Sequence, residues 1–240
     1  MSEVLRLDFE DPSAERFGFS GANMSGTWEN AASRSTSIVA TGGGALRWEG
    51  QNELAFLSQS FSPTLDEIYF GFHLYVGSST DIPLGGGEPV ITFMRDTNAA
   101  RLAFINVVRM QSGSGPLTRM DFRHYYDGGE LSITTPFTVE DHHERWLWVG
   151  MHLWHEDGGE FGDTVGMEVR LNGEVVGADT TEEVASRFPC PTLRLPVNNE
   201  NSTGRVVLYY DNIIVRTDTW PTEPTDDLVR LPQYIYGSGR

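Results

Sequence analysis

The chain has 240 residues, 34 of them acidic and 17 basic, and a formal net charge of −17. Because a chain with this net negative charge repels phosphate backbones and anionic lipid, we exclude nucleic acid and membrane surfaces as expected partners. Twenty-six glycines, 12 prolines and 11% aromatic residues are typical of short strands joined by turns, which predicts one all-β domain.

Strands are indicated by alternating apolar and polar residues between clusters of Gly, Pro, Asn and Asp. The clearest is Ile68–Val76, where five apolar side chains share one face of the strand. The other predicted strands span residues 4–9, 45–48, 55–61, 90–95, 102–110, 119–126, 146–155, 165–171, 174–176 and 206–216. Eleven strands are more than a minimal sandwich needs.

Two local signals punctuate this pattern. Asn172-Gly173 lies between two apolar runs, and because both residue types tolerate positive φ, it predicts a β-hairpin. Residues 181–188 carry two glutamates near their start and are followed by Pro189, which would end a helix, so they predict a helical turn.

The ends of the chain and its one cysteine carry further expectations. The N-terminus lacks an apolar signal core, and no stretch approaches 18 apolar residues, so we expect neither export nor a membrane span. Cys190, between two prolines, is expected to be a passive thiol. Residues 220–240 contain three prolines and end in Gly-Ser-Gly-Arg, which predicts an arm beyond a domain at 1–219.

Five segments in this order resemble the concanavalin-A-like, LamG-type jelly rolls of phage structural proteins. They are residues 5–11 (LRLDFED), 41–50 (TGGGALRWEG), 61–76 (FSPTLDEIYFGFHLYV), 145–176 and 205–221. The resemblance implies a two-sheet antiparallel jelly-roll sandwich with a C-terminal extended arm. It also implies that the strand YYDNIIV lies beside the N-terminal strand, which brings Asp211 near residues 8–11.

Jelly rolls of this type occur in lectins, polysaccharide lyases, glucanases and structural virion proteins, so the fold alone does not define function. The resemblance implies that a glycosidase would carry a motif such as Glu-x-Asp-x-x-Glu, which this sequence lacks. A lyase would need a Tyr and a His with Arg and an amide side chain, and residues 119–126 (RMDFRHYY), which include His124, offer several of these types.

Alternation places Arg119, Asp121, Arg123 and Tyr125 on one face of that predicted strand. Such a face suits a groove for a polyanion, and Arg119, Arg123 and Tyr125 are its candidate binding residues. An aspartate between two arginines is also typical of a surface ion-pair ladder, which we favour.

Residues 146–155 form a predicted strand whose two faces both carry apolar or aromatic side chains that need to be shielded from water. Four aliphatic side chains form one face, and Trp146, Trp148, His152 and Trp154 form the other. The second face is core under a loop, a contact surface for a protein, or a platform for stacking sugars, and we favour these in that order.

A Ca²⁺ site is the metal site that the resemblance suggests. Some β-sandwich carbohydrate modules hold calcium between an acidic N-terminal strand and an Asp of the closing strand, and Asp8, Glu10 and Asp211 supply the oxygen ligands that Ca²⁺ prefers. The alternative, which we favour, is that Asp211 pairs with an arginine or bends its strand.

From these observations we expect a non-enzymatic phage virion protein, made in the host cytoplasm, that decorates or cements the capsid exterior. Its expected partners are the major capsid protein or its own copies, in a homo-oligomeric assembly. The residues assigned to the assembly arm are Trp220, Pro221, Pro224, Leu228, Leu231, Pro232, Tyr234 and Tyr236. The first alternative is a glycan-binding attachment module of a tail or fibre. The second is a polysaccharide lyase or glycoside hydrolase.

Overall fold

The computed structural model describes residues 3–22, 32–50, 56–77, 87–95, 100–108, 119–136, 142–195 and 206–224. Nearly all of the regular structure in these ranges is β-strand. The strands are β1 (Glu3–Leu7), β2 (Gly21–Ala22), β3 (Ala32–Ser35), β4 (Ala45–Gly50), β5 (Leu57–Leu65), β6 (Ile68–Val76), β7 (Gly87–Met94), β8 (Arg101–Val108), β9 (Arg119–Asp127), β10 (Gly129–Pro136), β11 (Trp146–Glu156), β12 (Asp163–Leu171), β13 (Glu174–Ser186), β14 (Cys190–Leu195) and β15 (Val206–Arg216). Short 3-10 turns at Glu15–Gly18 and Gly159–Phe161 are the other elements.

The strands form two facing sheets whose named strands pair antiparallel. Sheet A has the order β13-β12-β11-β6-β15-β4-β3, and β1 pairs with β15. Sheet B has the order β2-β5-β14-β7-β8-β9, and β10 also pairs with β9. The predicted all-β, two-sheet jelly-roll sandwich is therefore confirmed.

One long strand links the two sheets. The first part of β13 pairs with β12 in sheet A, and its last residues, Ala185 and Ser186, pair with Tyr126 and Asp127 of β9 in sheet B. The predicted helical turn at residues 181–188 is therefore wrong. Pairing with β12 on one side and β9 on the other supplies the backbone hydrogen bonds that a helix would otherwise provide, and the kink falls at Glu183, whose φ is +59°.

The apolar inner faces of the two sheets make one core. Phe70 of β6 meets Phe93 of β7 edge to face, with ring centroids 5.2 Å apart. The Tyr210 hydroxyl, on β15, donates a hydrogen bond of 2.9 Å across the sandwich to the Val90 carbonyl. Side chains of the inner faces are almost fully buried, so the alternation within each strand decides which residues face outward.

The predicted Asn-Gly hairpin joins β12 and β13. Asn172 and Gly173 have φ of +50° and +83°, and Leu171 pairs with Glu174. The Asn172 side chain also accepts a 3.0 Å hydrogen bond from the Trp148 amide, which ties the turn to β11. The hairpin prediction is confirmed, and the turn has a second, tertiary role.

The closing strand lies where the family resemblance implied. β15 pairs with β1, and Leu7 stands opposite Ile213. Near Asp211 the register of β15 against β6 shifts, and Asn212 has a φ of +50°, so the strand bends there. No helix in the described ranges is long and apolar enough to span a bilayer. The division at residue 219 stays a prediction.

Gly173→Ala should lower the free energy of unfolding by about 1 kcal/mol, because an L side chain at this positive φ is strained. Urea unfolding measures the loss. Glu174→Ala, at the exposed neighbouring position, is the matched control and should change stability by less than about 0.5 kcal/mol. Equal losses in the two variants would contradict the strained-turn explanation.

Candidate functional site

The polar outer face of sheet B centres on β9. Arg119, Asp121, Arg123 and Tyr125 alternate with the buried Met120, Phe122 and His124, as the sequence predicted. Register places Phe104 and Asn106 of β8 beside Arg123 and Asp121. Side chains from neighbouring strands therefore meet on one surface.

An ion-pair ladder runs along this face. Arg119 donates a 2.8 Å hydrogen bond to Asp121, which also lies 3.9 Å from the Arg123 guanidinium. Arg123 pairs in turn with Glu130 of β10. The favoured interpretation of these residues as a ladder is confirmed, although Asp121 is buried, with only 2% of its surface exposed.

Two aromatic rings on the same face are surrounded by guanidinium groups. The Phe104 and Tyr125 ring centroids are 5.8 Å apart. Arg101 and Arg123 lie 5.3 and 5.9 Å from the Phe104 centroid, and Arg187 lies 5.4 Å from that of Tyr125. We call these five residues the aromatic-guanidinium cluster. Burial, followed by the Glu130 charge, raises the pKa of Tyr125 above its usual value of 10.

The charge on and around this face contrasts with that of the whole chain. Among the described side chains, six of the chain's 17 basic residues make the contacts of this face and its rim: Arg95, Arg101, Arg119, Arg123, Arg187 and Arg194. In the described part of the chain, four of these arginines pair with Asp121, Asp127 and Glu130, which are three of the chain's 34 acidic residues. The outer face of sheet B is thus a locally basic surface on an acidic protein.

His124 does not join this surface. Its side chain points between the sheets, where a ring nitrogen lies 3.1 Å from the Gly166 carbonyl of β12. Burial lowers the pKa of His124 to about 4. The structure therefore separates His124 from Arg123 and Tyr125, with which it would have to cooperate in a lyase site.

The aromatic outer face of sheet A is centred on β11. Trp146, His152 and Trp154 are partly exposed on this face, whereas Trp148 is buried. The His152 ring stacks on Tyr69 at 3.8 Å and on Trp154 at 4.6 Å, and it also contacts Glu67 at 2.8 Å. The inner aliphatic face of β11 is core, as predicted.

The chain covers the middle of this face with its own residues. After β15, Trp220 lies on Gly150, where an added Cβ would come within 2.9 Å of the indole, and the Arg170 guanidinium stacks 4.2 Å from the ring. Pro221 is buried, Pro224 is half-buried, and Glu223 contacts His73 at 3.2 Å. The start of the predicted arm therefore packs on its own sheet. The other arm residues, Leu228, Leu231, Pro232, Tyr234 and Tyr236, lie outside the described residues.

The three candidate calcium ligands bind backbone instead. The Asp211 carboxylate accepts hydrogen bonds from the amides of Ala40, Thr41 and Asn212 at 2.8 to 3.1 Å. Glu10 accepts from the Gly43 amide, and Asp8 from that of Glu10. In the described ranges, no three His, Cys, Asp or Glu side chains are grouped to hold a metal ion. These carboxylates do not fit a Ca²⁺ cage, and Asp211 and Glu10 instead hold the 40–43 loop beside the bend in β15.

The sequence prediction missed Arg101, Phe104 and Arg187. Arg101 and Phe104 belong to β8, and Arg187 follows the end of β13, so only the sheet register brings them to Tyr125. A cation beside an aromatic ring leaves no signal when the two residues are far apart in sequence.

Comparison with solved structures identifies proteins of the same fold. An endo-β-1,4-glucuronan lyase from the fungus Trichoderma reesei is 14% identical, with a TM-score of 0.58, and the match covers 90% of this chain and 96% of that one. The marine alginate lyase of Aplysia kurodai is 11% identical, with a TM-score of 0.59 over 90% of this chain and all of the lyase.

A structure of botulinum neurotoxin type C, whose cell entry depends on interaction with two ganglioside molecules, is 11% identical, with a TM-score of 0.57. The match covers 90% of this chain and 48% of the toxin chain. No family model and no curated protein matches the sequence. At these identities the likeness shows the jelly-roll fold alone, and the expected virion role draws no support from it.

Asp211→Asn should lower the free energy of unfolding by about 1 to 3 kcal/mol, because an amide nitrogen replaces one oxygen that accepts backbone hydrogen bonds. Thermal unfolding measures the loss, and Asp8→Asn, at an exposed position, is the control. Adding Ca²⁺ or a chelator should leave the wild-type Tm unchanged. A rise in Tm with Ca²⁺ that Asp211→Asn abolishes would contradict this assignment.

Proposed function

We propose that the protein binds an acidic polysaccharide along the outer face of sheet B. The observation that carries the proposal is the aromatic-guanidinium cluster, in which Arg101, Arg123 and Arg187 surround Phe104 and Tyr125. It lies on the basic surface of a chain whose net charge is −17.

The cluster can meet the two chemical features of a uronate unit, which are its carboxylate and the apolar C–H face of its sugar ring. Guanidinium groups bind carboxylates through paired, charge-assisted hydrogen bonds, for which arginine is better suited than lysine. The faces of aromatic rings pack against the apolar C–H faces of sugar rings. The half-buried Tyr125 supplies the ring, Phe104 supports it from a buried position with 6% of its surface exposed, and the three arginines supply the donors, so one small area can meet both features.

The structural neighbours support the same proposal. The two lyases named above act on glucuronan and alginate, and the toxin interacts with ganglioside molecules. Each shares the sandwich with this chain over about nine-tenths of its length. A jelly roll of this shape is thus compatible with carbohydrate ligands on a chain of this size.

Arg123→Ala should weaken binding of oligoglucuronate or oligomannuronate by roughly 10- to 100-fold, the effect of losing about 1.5 to 3 kcal/mol of charged hydrogen bonds. Isothermal titration calorimetry at low salt gives the affinity of each variant. Binding should also weaken as salt is added, because screening reduces charge attraction.

Arg170→Ala is the matched control, since Arg170 is also half-buried and pairs with a carboxylate, Glu168, but lies on the outer face of sheet A. It should leave the affinity unchanged. The proposal is wrong if no acidic oligosaccharide binds, or if Arg170→Ala and Arg123→Ala weaken binding equally.

A second candidate, a polysaccharide lyase, is favoured by the position of Tyr125 among arginines. A lyase neutralises the uronate carboxylate and removes the neighbouring carbon-bound proton with a base. On the described part of the face, Tyr125 is the one side chain suited to that role, because Asp121 and Glu130 are occupied in ion pairs. The raised pKa of Tyr125 keeps the hydroxyl protonated at neutral pH, which is why we rank binding first.

A Tyr125 base requires that cleavage accelerate as the pH rises through the alkaline range towards the raised pKa of the phenol. Ultraviolet absorbance of the unsaturated sugar product follows the reaction. Tyr125→Phe should abolish this activity and retain oligouronate binding. No product at any pH would exclude the lyase and leave binding as the function.

A further inference from the structure

A buried histidine lies behind the proposed binding surface. His124 is fully buried between the sheets and is followed and preceded in β9 by the outward-facing Tyr125 and Arg123. Its Nδ1 lies 3.1 Å from the Gly166 carbonyl, and since a carbonyl only accepts, Nδ1 carries the proton. The other ring nitrogen, Nε2, is buried and has no hydrogen-bond partner among the described residues.

The surroundings of His124 offer little to a positive charge. The Phe188 ring packs edge to face against His124, with centroids 5.6 Å apart, and β8 and β10 place Ala103 and Leu131 opposite it. His155 of β11 stacks on the other part of Phe188 and adds a repulsive interaction when charged. The nearby carboxylate, Asp163 of β12, lies 4.0 Å from His155 and accepts a hydrogen bond from Ser186.

The sheets are weakly joined at this point. Within the described ranges, β9 and β13 share two residue pairs, Tyr126 with Ser186 and Asp127 with Ala185. By contrast, β9 pairs with β10 over eight residues. We call the junction of β9 with β12 and β13 around His124 the seam. Opening the seam would cost few backbone hydrogen bonds.

We propose that His124 is an acid-sensitive switch that couples the seam to the polysaccharide site, so that uptake of a proton opens the seam and releases the ligand. This inference rests on the proposed function of the outer face of sheet B.

Protonation acts on the seam because a charge on Nε2 has no acceptor there. Bringing water to that nitrogen requires β9 to move away from β12 and β13. Tyr125 follows His124 on β9 and Arg187 follows the end of β13, so such a movement separates the Tyr125 ring from the Arg187 guanidinium, which lie 5.4 Å apart in the closed protein. The arginines and aromatic rings then no longer meet one sugar unit together.

The direction of the pH dependence follows from linkage. The closed protein holds the pKa of His124 at about 4, below the usual value of 6.5 that an exposed imidazole would have in the opened seam. The closed form is therefore fully favoured above about pH 6.5 and loses that advantage as the pH falls towards 4. Between pH 8 and pH 5 these two values raise the opening equilibrium about 30-fold.

Hydrogen exchange of the β9 amides and calorimetric binding of an oligouronate, both measured from pH 8 to pH 5, test the switch on the full chain. After correction for intrinsic exchange, opening should increase about 30-fold at pH 5, and the affinity should fall in proportion to the fraction of closed protein that is lost. His124→Gln keeps a donor for the Gly166 carbonyl and should flatten both profiles. His155→Gln, which leaves His124 in place and removes the repulsion, should reduce the rise in opening.

His142→Gln, at a half-buried histidine before β11, is the matched control and should behave as wild type. Exchange that does not change with pH, or opening without loss of affinity, would overturn the switch. If no oligouronate binds even at pH 8, the proposed function fails and the regulation fails with it. The exchange profile then still reports separately whether His124 controls the seam.

Discussion

The apolar layer between the two sheets determines what each outer face presents. Phe70 packs against Phe93 across this layer, and most of the long strands contribute alternate side chains to it. A shift of one residue in β9 would bury Arg123 and Tyr125 and expose Phe122 and His124. The burial of aliphatic and aromatic side chains therefore fixes the polar site as firmly as any contact within the site.

The aromatic side chains on the two outer faces have different neighbours. On sheet A, the chain itself covers part of an aromatic surface, because Trp220 lies on Gly150 beneath Arg170. On sheet B, the aromatic rings of Phe104 and Tyr125 lie among guanidinium groups. The first arrangement fastens the C-terminal segment to the sandwich. The second places guanidinium donors, which can bind carboxylates, beside the Tyr125 ring, which can pack on the face of a sugar. We therefore assign the ligand to sheet B.

Local periodicity predicted much of the fold, and its failures have physical reasons. Alternation placed Arg119, Arg123 and Tyr125 on one face. The Asn172-Gly173 turn was predicted because both residue types tolerate positive φ and the pair lies between two apolar runs. The polar strand β10 was missed, although Asp127-Gly128, a hairpin signal like Asn-Gly, precedes it and Gly128 has a φ of +104°. β13 was mistaken in part for a helix because its pairing with two sheets overrides local propensity.

The site was less predictable than the fold because it depends on register between distant strands. Arg101 and Phe104 lie on β8 and Arg187 follows β13, so no sequence spacing connects them with Tyr125 of β9. The carboxylates Asp8, Glu10 and Asp211 show the opposite case. Their residue types suggested calcium, but the amides of the 40–43 loop occupy Asp211 and Glu10. Only the folded geometry shows whether such a carboxylate binds a metal ion or holds a loop by accepting hydrogen bonds from its backbone.

The most direct measurement of the central claim is an NMR titration of the isotopically labelled chain with an oligouronate, which locates the ligand on one sheet or the other. The account predicts that shifted amides and side chains cluster on β8, β9 and β10, with the largest changes around Phe104 and Tyr125. Shifts centred on β6 and β11 of sheet A, around Trp146 and Trp154, would contradict it.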